Sequence, residues 1–362
     1  MFNKVLKTVL ILPALLIALV GCAAQAAQES ISAPEVAEEL VFYDWGEDGI
    51  ETVFEAFTEE YGVKIKYVTF LSTEEAVENM RAGEVYDVVV MENQFVPALR
   101  DEGLLAQIDY SNVPNFKNIS ANFRDLSYDP SNEHSIPYSW GTTGLVVRSD
   151  LVEEPITRWA DMWDPRDAGR IVNWNTTPRF MIGATLLTLG YSVNSEEPAE
   201  LEAALERLLA LKPDNIWLND EDGLTPTPFL QSGEAVMAQG WSEEVWEAEA
   251  EGVDVSYVIP EEGTILWGDN FVIPANSPHK YTAELFLDFI LRPEISGQIV
   301  NANYYPMANE AANEFVDPEI LNDPVVYPTN EDMINAELLL PLSPEGEKLY
   351  ADVWERFLAV DN

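Results

Sequence analysis

The sequence predicts an α/β fold in two domains, and three observations predict it. The chain has 362 residues, too many for one ordinary core. Apolar strand patterns alternate with helix-period patterns in two successive series, which implies parallel sheet covered by helices. Between the series lie an irregular stretch at 105–135, rich in Asn, Asp, Ser and Pro, and an extended, glycine-broken stretch at 135–147. The latter reads as a crossover between lobes, with Gly141 and Gly144 free to absorb a change of dihedral angle. No internal repeat and no coiled-coil heptad is present.

The first series opens with a strand at 40–45 and the acidic turn Gly46-Glu47-Asp48-Gly49. Ile50, Val53, Phe54, Phe57 and Tyr61 then recur at helical spacing, and Gly62 stops the helix. Residues 63–70 alternate as a strand, 73–82 form a short helix, 86–91 a buried strand around Val88, Val89 and Val90, and 95–102 a helix ended by Gly103. Ligands of such sheets sit beyond the carboxyl ends of the strands, which points to 45–48 and 92–94. The second series has a strand at 170–174, a helix at 180–189 and a longer helix at 198–211 with Leu201, Leu205, Leu208 and Leu209 on one face. A strand at 235–240 runs into a helix start at Trp241-Ser242-Glu243-Glu244-Val245-Trp246, and another strand covers 253–259. Helices at 281–291 and 294–301, an irregular segment around Tyr304-Tyr305-Pro306 and a terminal helix at 344–360 complete the chain.

The amino terminus is a targeting segment. Lys4 and Lys7 precede an apolar run at 9–20 that is interrupted by Pro13 and too short to span a membrane comfortably. It ends Leu19-Val20-Gly21-Cys22, which resembles the bacterial lipobox, and Cys22 is the sole cysteine. Residues 1–21 therefore read as a lipoprotein signal peptide, Cys22 as the lipidation site and 22–38 as a flexible tether. With one thiol, no disulfide forms within the chain. There are 19 Lys+Arg against 64 Asp+Glu, a formal charge of −45, spread along the whole chain. Such a surface repels nucleic acid and anionic lipid and attracts cations, and it is equally the mark of a solvated or salt-adapted surface.

At 263–278 a short apolar run leads into Trp267-Gly268-Asp269, and a second apolar run ends at Pro274. An aromatic and a carboxylate two positions apart in an extended chain share a face. Ring and carboxylate together suit an organic ammonium ion, through cation–π attraction and charge-assisted hydrogen bonds. Gly268 between them leaves room for a close approach. The same residues also fit a core Trp beside a turn-forming Asp. Two isolated histidines, the single cysteine and the lack of a phosphate-binding glycine loop or a nucleophile elbow leave no familiar catalytic or metal-binding motif.

Several motifs occur in order: Phe42-Tyr43-Asp44-Trp45, Tyr86-Asp87-Val88-Val89-Val90, Ser135-Ile136-Pro137-Tyr138-Ser139-Trp140-Gly141, Trp159-Ala160-Asp161-Met162-Trp163, Gly240-Trp241-Ser242-Glu243-Glu244, Trp267-Gly268-Asp269 and Leu291-Arg292-Pro293. Together they resemble the substrate-binding proteins of spermidine/putrescine ABC transporters, over about residues 40–327. The resemblance implies a two-lobed, type II periplasmic-binding-protein clamshell, not an enzyme. One lobe would comprise 40–137 and 269–315, the other 140–266 and 316–362. It implies an extracytoplasmic, lipid-anchored monomer that needs no cofactor or metal and hands a polyamine to a membrane-embedded ABC permease. The family's ligand residues carry over onto Trp45, Glu47, Trp241, Glu244, Trp267, Asp269 and Tyr305, and Glu92 stands where a small hydroxyl residue is usual. Where spermidine binders have two carboxylates three positions apart, this chain has Thr177 and Phe180, so a putrescine-like diamine is favoured. Trp45 and Trp241 also admit a plain core role, and Glu47 and Glu244 a role as helix N-terminal acids. Two other readings stay open. One is a ferric-ion-binding protein using the neighbouring Tyr304 and Tyr305, and the other is a secreted glycosidase using a pair of carboxylates.

Overall fold

The computed structural model describes residues 35–46, 49–219 and 224–360. The signal segment, Cys22, most of the tether and Glu47 lie outside the described residues. The strands are β1 (Glu39–Asp44), β2 (Lys64–Thr69), β3 (Val88–Glu92), β4 (Ser135–Val147), β5 (Ile171–Trp174), β6 (Ile216–Leu218), β7 (Met237–Gly240), β8 (Ser256–Val258), β9 (Ile265–Val272) and β10 (Glu337–Leu338). The helices are α1 (Glu51–Tyr61), α2 (Thr73–Ala82), α3 (Val96–Asp101), α4 (Pro178–Thr188), α5 (Pro198–Leu211), α6 (Thr227–Ser232), α7 (Ser242–Ala250), α8 (Lys280–Ile290), α9 (Pro293–Asn303), α10 (Pro318–Leu321) and α11 (Pro344–Leu358).

Local chemistry accounts for the longer elements. Helix α1 buries Val53, Phe54 and Phe57 and ends at Gly62, whose φ of 73° lies in the left-handed region that glycine tolerates. Helix α2 starts where the Ser72 hydroxyl accepts from the Glu75 N–H at 3.2 Å, while the Glu75 carboxylate accepts from the Leu71 N–H at 3.0 Å. Helix α5 buries Leu201, Leu205 and Leu208, with Leu209 at the margin of that stripe. Strands β6 and β10 and helices α6 and α10 have no counterpart in the sequence reading, because each is too short to show a period.

The strands form one mixed sheet in the order β2-β1-β3-β9-β4-β7-β5-β6, with β10 on β9 and β8 on β4. The expected mainly parallel sheet flanked by helices is found, with antiparallel strands at its centre. Pairs β1–β2, β1–β3, β5–β6 and β5–β7 are parallel, but β9 is antiparallel to both β3 and β4, and β4 to β7. β4 and β9 enter the sheet centre without a crossover helix, so nothing forces them into the parallel sense.

Hydrophobic residues gather in two cores strung along this sheet. In the first, Leu40, Phe42, Val88, Val90, Ile136, Tyr138 and Phe271 meet helices α1, α8 and α9 on one face, while Tyr43, Val89 and Val272 meet α2 and α3 on the other. In the second, Leu145, Val147, Ile171, Ile265 and Trp267 meet α4, α5 and α11, with Val146, Val172 and Ala238 behind them. β4 and β9 each contribute to both cores. Val316, Ile320 and Val326 pack in the first core, whereas Leu339 and α11 belong to the second. The expected return of the chain to its second lobe at 316 is thus too early.

Between β4 and β9 the register slips: Pro137 pairs with Asn270 and Trp140 with Gly268, so Tyr138 and Ser139 together oppose Asp269. This bulge changes which side chains of β4 face the cores. Even-numbered Ile136 and Tyr138 join the first core, and odd-numbered Leu145 and Val147 join the second, on the same face.

The close approach expected at Gly268 is found at Gly141 instead. A Cβ on Gly268 would meet only Ser139 O at 3.9 Å, whereas one on Gly141 would stand 2.5 Å from Trp267 Cζ2. The indole of Trp267 lies against the bare backbone of Gly141. Gly141→Ala is therefore expected to destabilise the protein by about 1–3 kcal/mol through overpacking, read as a lower urea midpoint with an unchanged m-value.

Candidate functional site

Period-two geometry puts Trp267 and Asp269 on one face of β9, and both line a cavity of about 360 Å³. Each is buried. The pairing of β9 with β3 adds a carboxylate that the sequence leaves undecided: Glu92, the last residue of β3, is the register partner of Asp269. The Asn93 N–H donates to Gly268 O at 2.9 Å in the next rung. That makes Glu92–Asp269 a non-hydrogen-bonded pair, the kind whose Cα atoms stand only about 4.5 Å apart with side chains on the same face. Both residues line the cavity. Like charges directly opposite one another destabilise a sheet. Burial, reinforced by the charge of Glu74, pushes the Glu92 carboxyl up to about 7, while Thr73, the Gln94 amide and Arg179 act in the opposite direction. Gln94 Nε2 donates to Glu92 Oε2 at 3.0 Å.

Aromatic rings wall the space in front of this pair. Trp45 follows β1, is 37 % exposed and meets Phe70 edge-on at 4.6 Å. Gly46 beside it has a φ of 102°, so the chain turns there as few other residues allow. Trp241 stands at the start of α7. Its Nε1 donates to Thr143 Oγ1 on β4 at 3.0 Å, and its ring meets Phe180 at 5.6 Å and 90°. Trp45, Trp241 and Trp267 all line the cavity.

Glu244 does not line it. Its Oε2 accepts from the Trp241 N–H at 2.8 Å, closing the first turn of α7, which is the helix-terminal role already open to it in the sequence. Burial, with the neighbouring charge of Glu243, pushes its carboxyl up to about 8. Glu243, one position earlier, turns into the cavity instead and accepts from the Tyr305 hydroxyl at 3.0 Å. The expectation that Glu244 faces the ligand is corrected by one residue, about 100° of helix rotation. Glu47 falls outside the described residues.

Tyr305 reaches the cavity because its neighbours are clamped to the bulge of β4. The Trp140 N–H donates to Pro306 O at 3.1 Å, and the Ala308 N–H to Tyr138 O at 2.7 Å. The ring meets Trp267 edge-on at 5.1 Å and 86°. Tyr304 points elsewhere. It ends α9 with a φ of 58° and stacks on Trp246 at 4.3 Å and 9°. The two tyrosines diverge, so the paired phenolates of a ferric site are not formed. Among the described residues there is also no group of three or more His, Cys, Asp or Glu side chains able to hold a metal ion.

A second chamber, of about 200 Å³, opens beside the first and shares Trp45, Glu92, Thr177, Phe180 and Trp241 with it. Its far wall is the N-terminus of α4. Arg179 in that first turn is buried, donates to Asn194 Oδ1 and Leu340 O at 3.2 Å each and lies over the Tyr350 ring at 4.9 Å. It forms no salt bridge among the described residues. Glu243, Asn303 and Arg179 are wall residues that sequence reasoning misses; Arg179 owes its place to Asn194 and Leu340, and Glu243 meets Tyr305, contacts distant in sequence.

The bacterial extracellular solute-binding protein family matches residues 52–328. The spermidine/putrescine-binding periplasmic protein of Escherichia coli (strain K12) is 34% identical over 301 residues, 82% of this chain and 85% of that protein. Among solved structures, the spermidine/putrescine ABC transporter substrate-binding protein of Streptococcus pneumoniae superposes with a TM-score of 0.77 at 30% identity, covering 89% of this chain and 99% of that one. A lipoprotein of Treponema pallidum superposes with a TM-score of 0.79 at 25% identity, covering 88% and 99%. The chain belongs to the family of bacterial extracellular solute-binding proteins, which are transport proteins and not enzymes, and it has the α/β periplasmic-binding-protein fold.

The burial of Glu244 has a measurable consequence. An acid whose carboxyl is raised from 4.5 to about 8 by folding gives the unfolded state an advantage that grows as pH rises between those values. Glu244→Gln keeps an acceptor for the Trp241 N–H and removes the ionisation. Its thermal midpoint is expected to match wild type near pH 4.5, to exceed it increasingly up to pH 8 and to keep a constant lead above, as followed by circular dichroism.

Proposed function

We propose that this protein captures a polyamine, a putrescine-like diamine in preference to spermidine, and delivers it to an ABC permease. The observation that carries the reading is the Glu92–Asp269 pair inside a tryptophan-walled cavity. Burying an unpaired ammonium is very costly, so each end of a diammonium ligand needs acidic or several neutral acceptors, and its methylenes need flat apolar walls. Asp269 and Glu92 take one ammonium. Glu243 and the Tyr305 oxygen take the other, and Trp45, Trp241 and Trp267 cover the chain between. The names and similarity of the relatives support the polyamine class. The diamine preference rests on the start of α4, where Thr177 and Phe180 supply no carboxylate to the second chamber.

The reading includes two lobes that close on the ligand, one built on the first core and one on the second, with β4 and β9 as the connecting strands. It also includes a lipid anchor at Cys22, supported by the lipobox-like sequence and by the Treponema relative. Asp269→Asn removes one partner of a buried charge pair, a loss on the order of 3–5 kcal/mol, so putrescine binding is expected to weaken at least a hundredfold by calorimetric titration. Trp267→Leu keeps apolar area but loses the ring face, for about 1–2 kcal/mol. Glu202→Gln, at an exposed pair with Arg356, leaves affinity unchanged. Near-native affinity in a folded Asp269→Asn protein would sink the assignment. For the anchor, Cys22→Ser is expected to abolish lipid labelling and to release soluble protein or leave uncleaved precursor.

A further inference from the structure

We propose that Trp246 and Tyr304 form a latch that holds the two lobes together while the cavity is empty, so that affinity for cargo is set in part by a contact that cargo never touches. The proposal rests on the two-lobe reading above and adds what keeps the lobes together without a ligand.

The latch joins the two cores at the rim of the cavity. Helix α7 belongs to the second core: Val245 and Ala248 pack on one side of its sheet, and Trp241 at the helix start packs on the other. One step beyond Val245, about 100° round the helix, Trp246 packs against the first core. Tyr304 comes from the opposite side. It closes α9, which buries Ile295, Ile299 and Val300 in the first core. The two rings stack face to face, at 4.3 Å and 9°. Beside them the Ser242 hydroxyl donates to Tyr304 O at 3.2 Å. Neither ring lines the cavity, yet each has a near neighbour that does: Tyr305 follows Tyr304, and Glu243 precedes Trp246 on α7.

The backbone at Tyr304 points to a role for its ring. Its φ of 58° lies in the left-handed region, which is strained for a residue with a side chain. After α1, α2 and α6 the chain places Gly62, Gly83 and Gly233 in that conformation. The stack on Trp246 offsets the strain only while α7 lies against the end of α9. Once the lobes part the stack is lost. The contact therefore favours the closed form and gives nothing to the open one, which is the condition for shifting an equilibrium between them. Cargo that binds the closed form binds more tightly the more of the empty protein is already closed.

The test uses Trp246→Leu, which keeps apolar area, and Tyr304→Asn, which keeps a residue tolerant of the left-handed region. Tyr304→Phe keeps the ring and is the control, and circular dichroism confirms that each variant is folded. In solution scattering of the empty protein, Trp246→Leu and Tyr304→Asn should be more extended than wild type, and Tyr304→Phe should match it. With saturating putrescine all four profiles should coincide. The first two variants should bind putrescine about fivefold more weakly, and butylamine, whose single ammonium makes no demand on Glu243 or Tyr305, should lose the same factor. Empty-protein profiles of Trp246→Leu and Tyr304→Asn identical to wild type overturn the proposal. So does a loss of affinity confined to putrescine, which would make the rings supports of the Glu243 and Tyr305 wall and not a latch. A wild-type protein that binds neither amine counts against the polyamine reading, and the empty-protein profiles then still decide the latch.

Discussion

The antiparallel ladder between β4 and β9 is the interaction on which the remaining structure depends. Each strand runs from one hydrophobic core into the other, so the two cores share a seam of backbone hydrogen bonds. The seam also carries the chemistry. Trp267 and Asp269 stand on β9 where it passes from the second core towards the first, the point at which apolar packing on the shared face is interrupted. A polar residue inside either core would need a protein partner. At the junction it borders the cavity instead.

The carboxylates along this junction work against the stability of the fold. Glu92 and Asp269 face one another across adjacent strands, and Glu243 lines the same cavity from α7. The protein tolerates the arrangement because the surrounding elements are fixed for other reasons: β3 by its apolar run, α7 by its first-turn hydrogen bond, and the 305–308 segment by its bonds to β4. In the function proposed above, a cation entering the cavity offsets this repulsion, and that differential favours a positively charged ligand.

Much of this was legible in the sequence. The bounds read for α2, β4 and α5 coincide with the observed ones, and for the two helices this is because a helical period is closed by a cap, a glycine or a proline. Trp267 and Asp269 were found together because a two-residue period is a local property. What escaped depends on partners far away in the chain. Whether Glu92 faces the cavity is decided by its register against β9, and no pattern within β3 encodes that register. The choice between Glu243 and Glu244 turns on one helical step, which a family resemblance resolves poorly. That β9 is inserted between β3 and β4, antiparallel to both, is a long-range feature that the alternation of strands and helices in sequence does not reveal.

The bulge opposite Asp269 ties the fold and the site to a single residue count. Tyr138 and Ser139 occupy the space of one residue, and this surplus turns Leu145 and Val147, in place of Val146, towards α4, α5 and α11. Removing either residue from the reading frame would rotate the rest of β4 by half a turn, exchange its inner and outer side chains and draw the 306–308 segment out of position beneath Tyr305. At this place a three-nucleotide deletion would damage the core and the cavity wall in the same event.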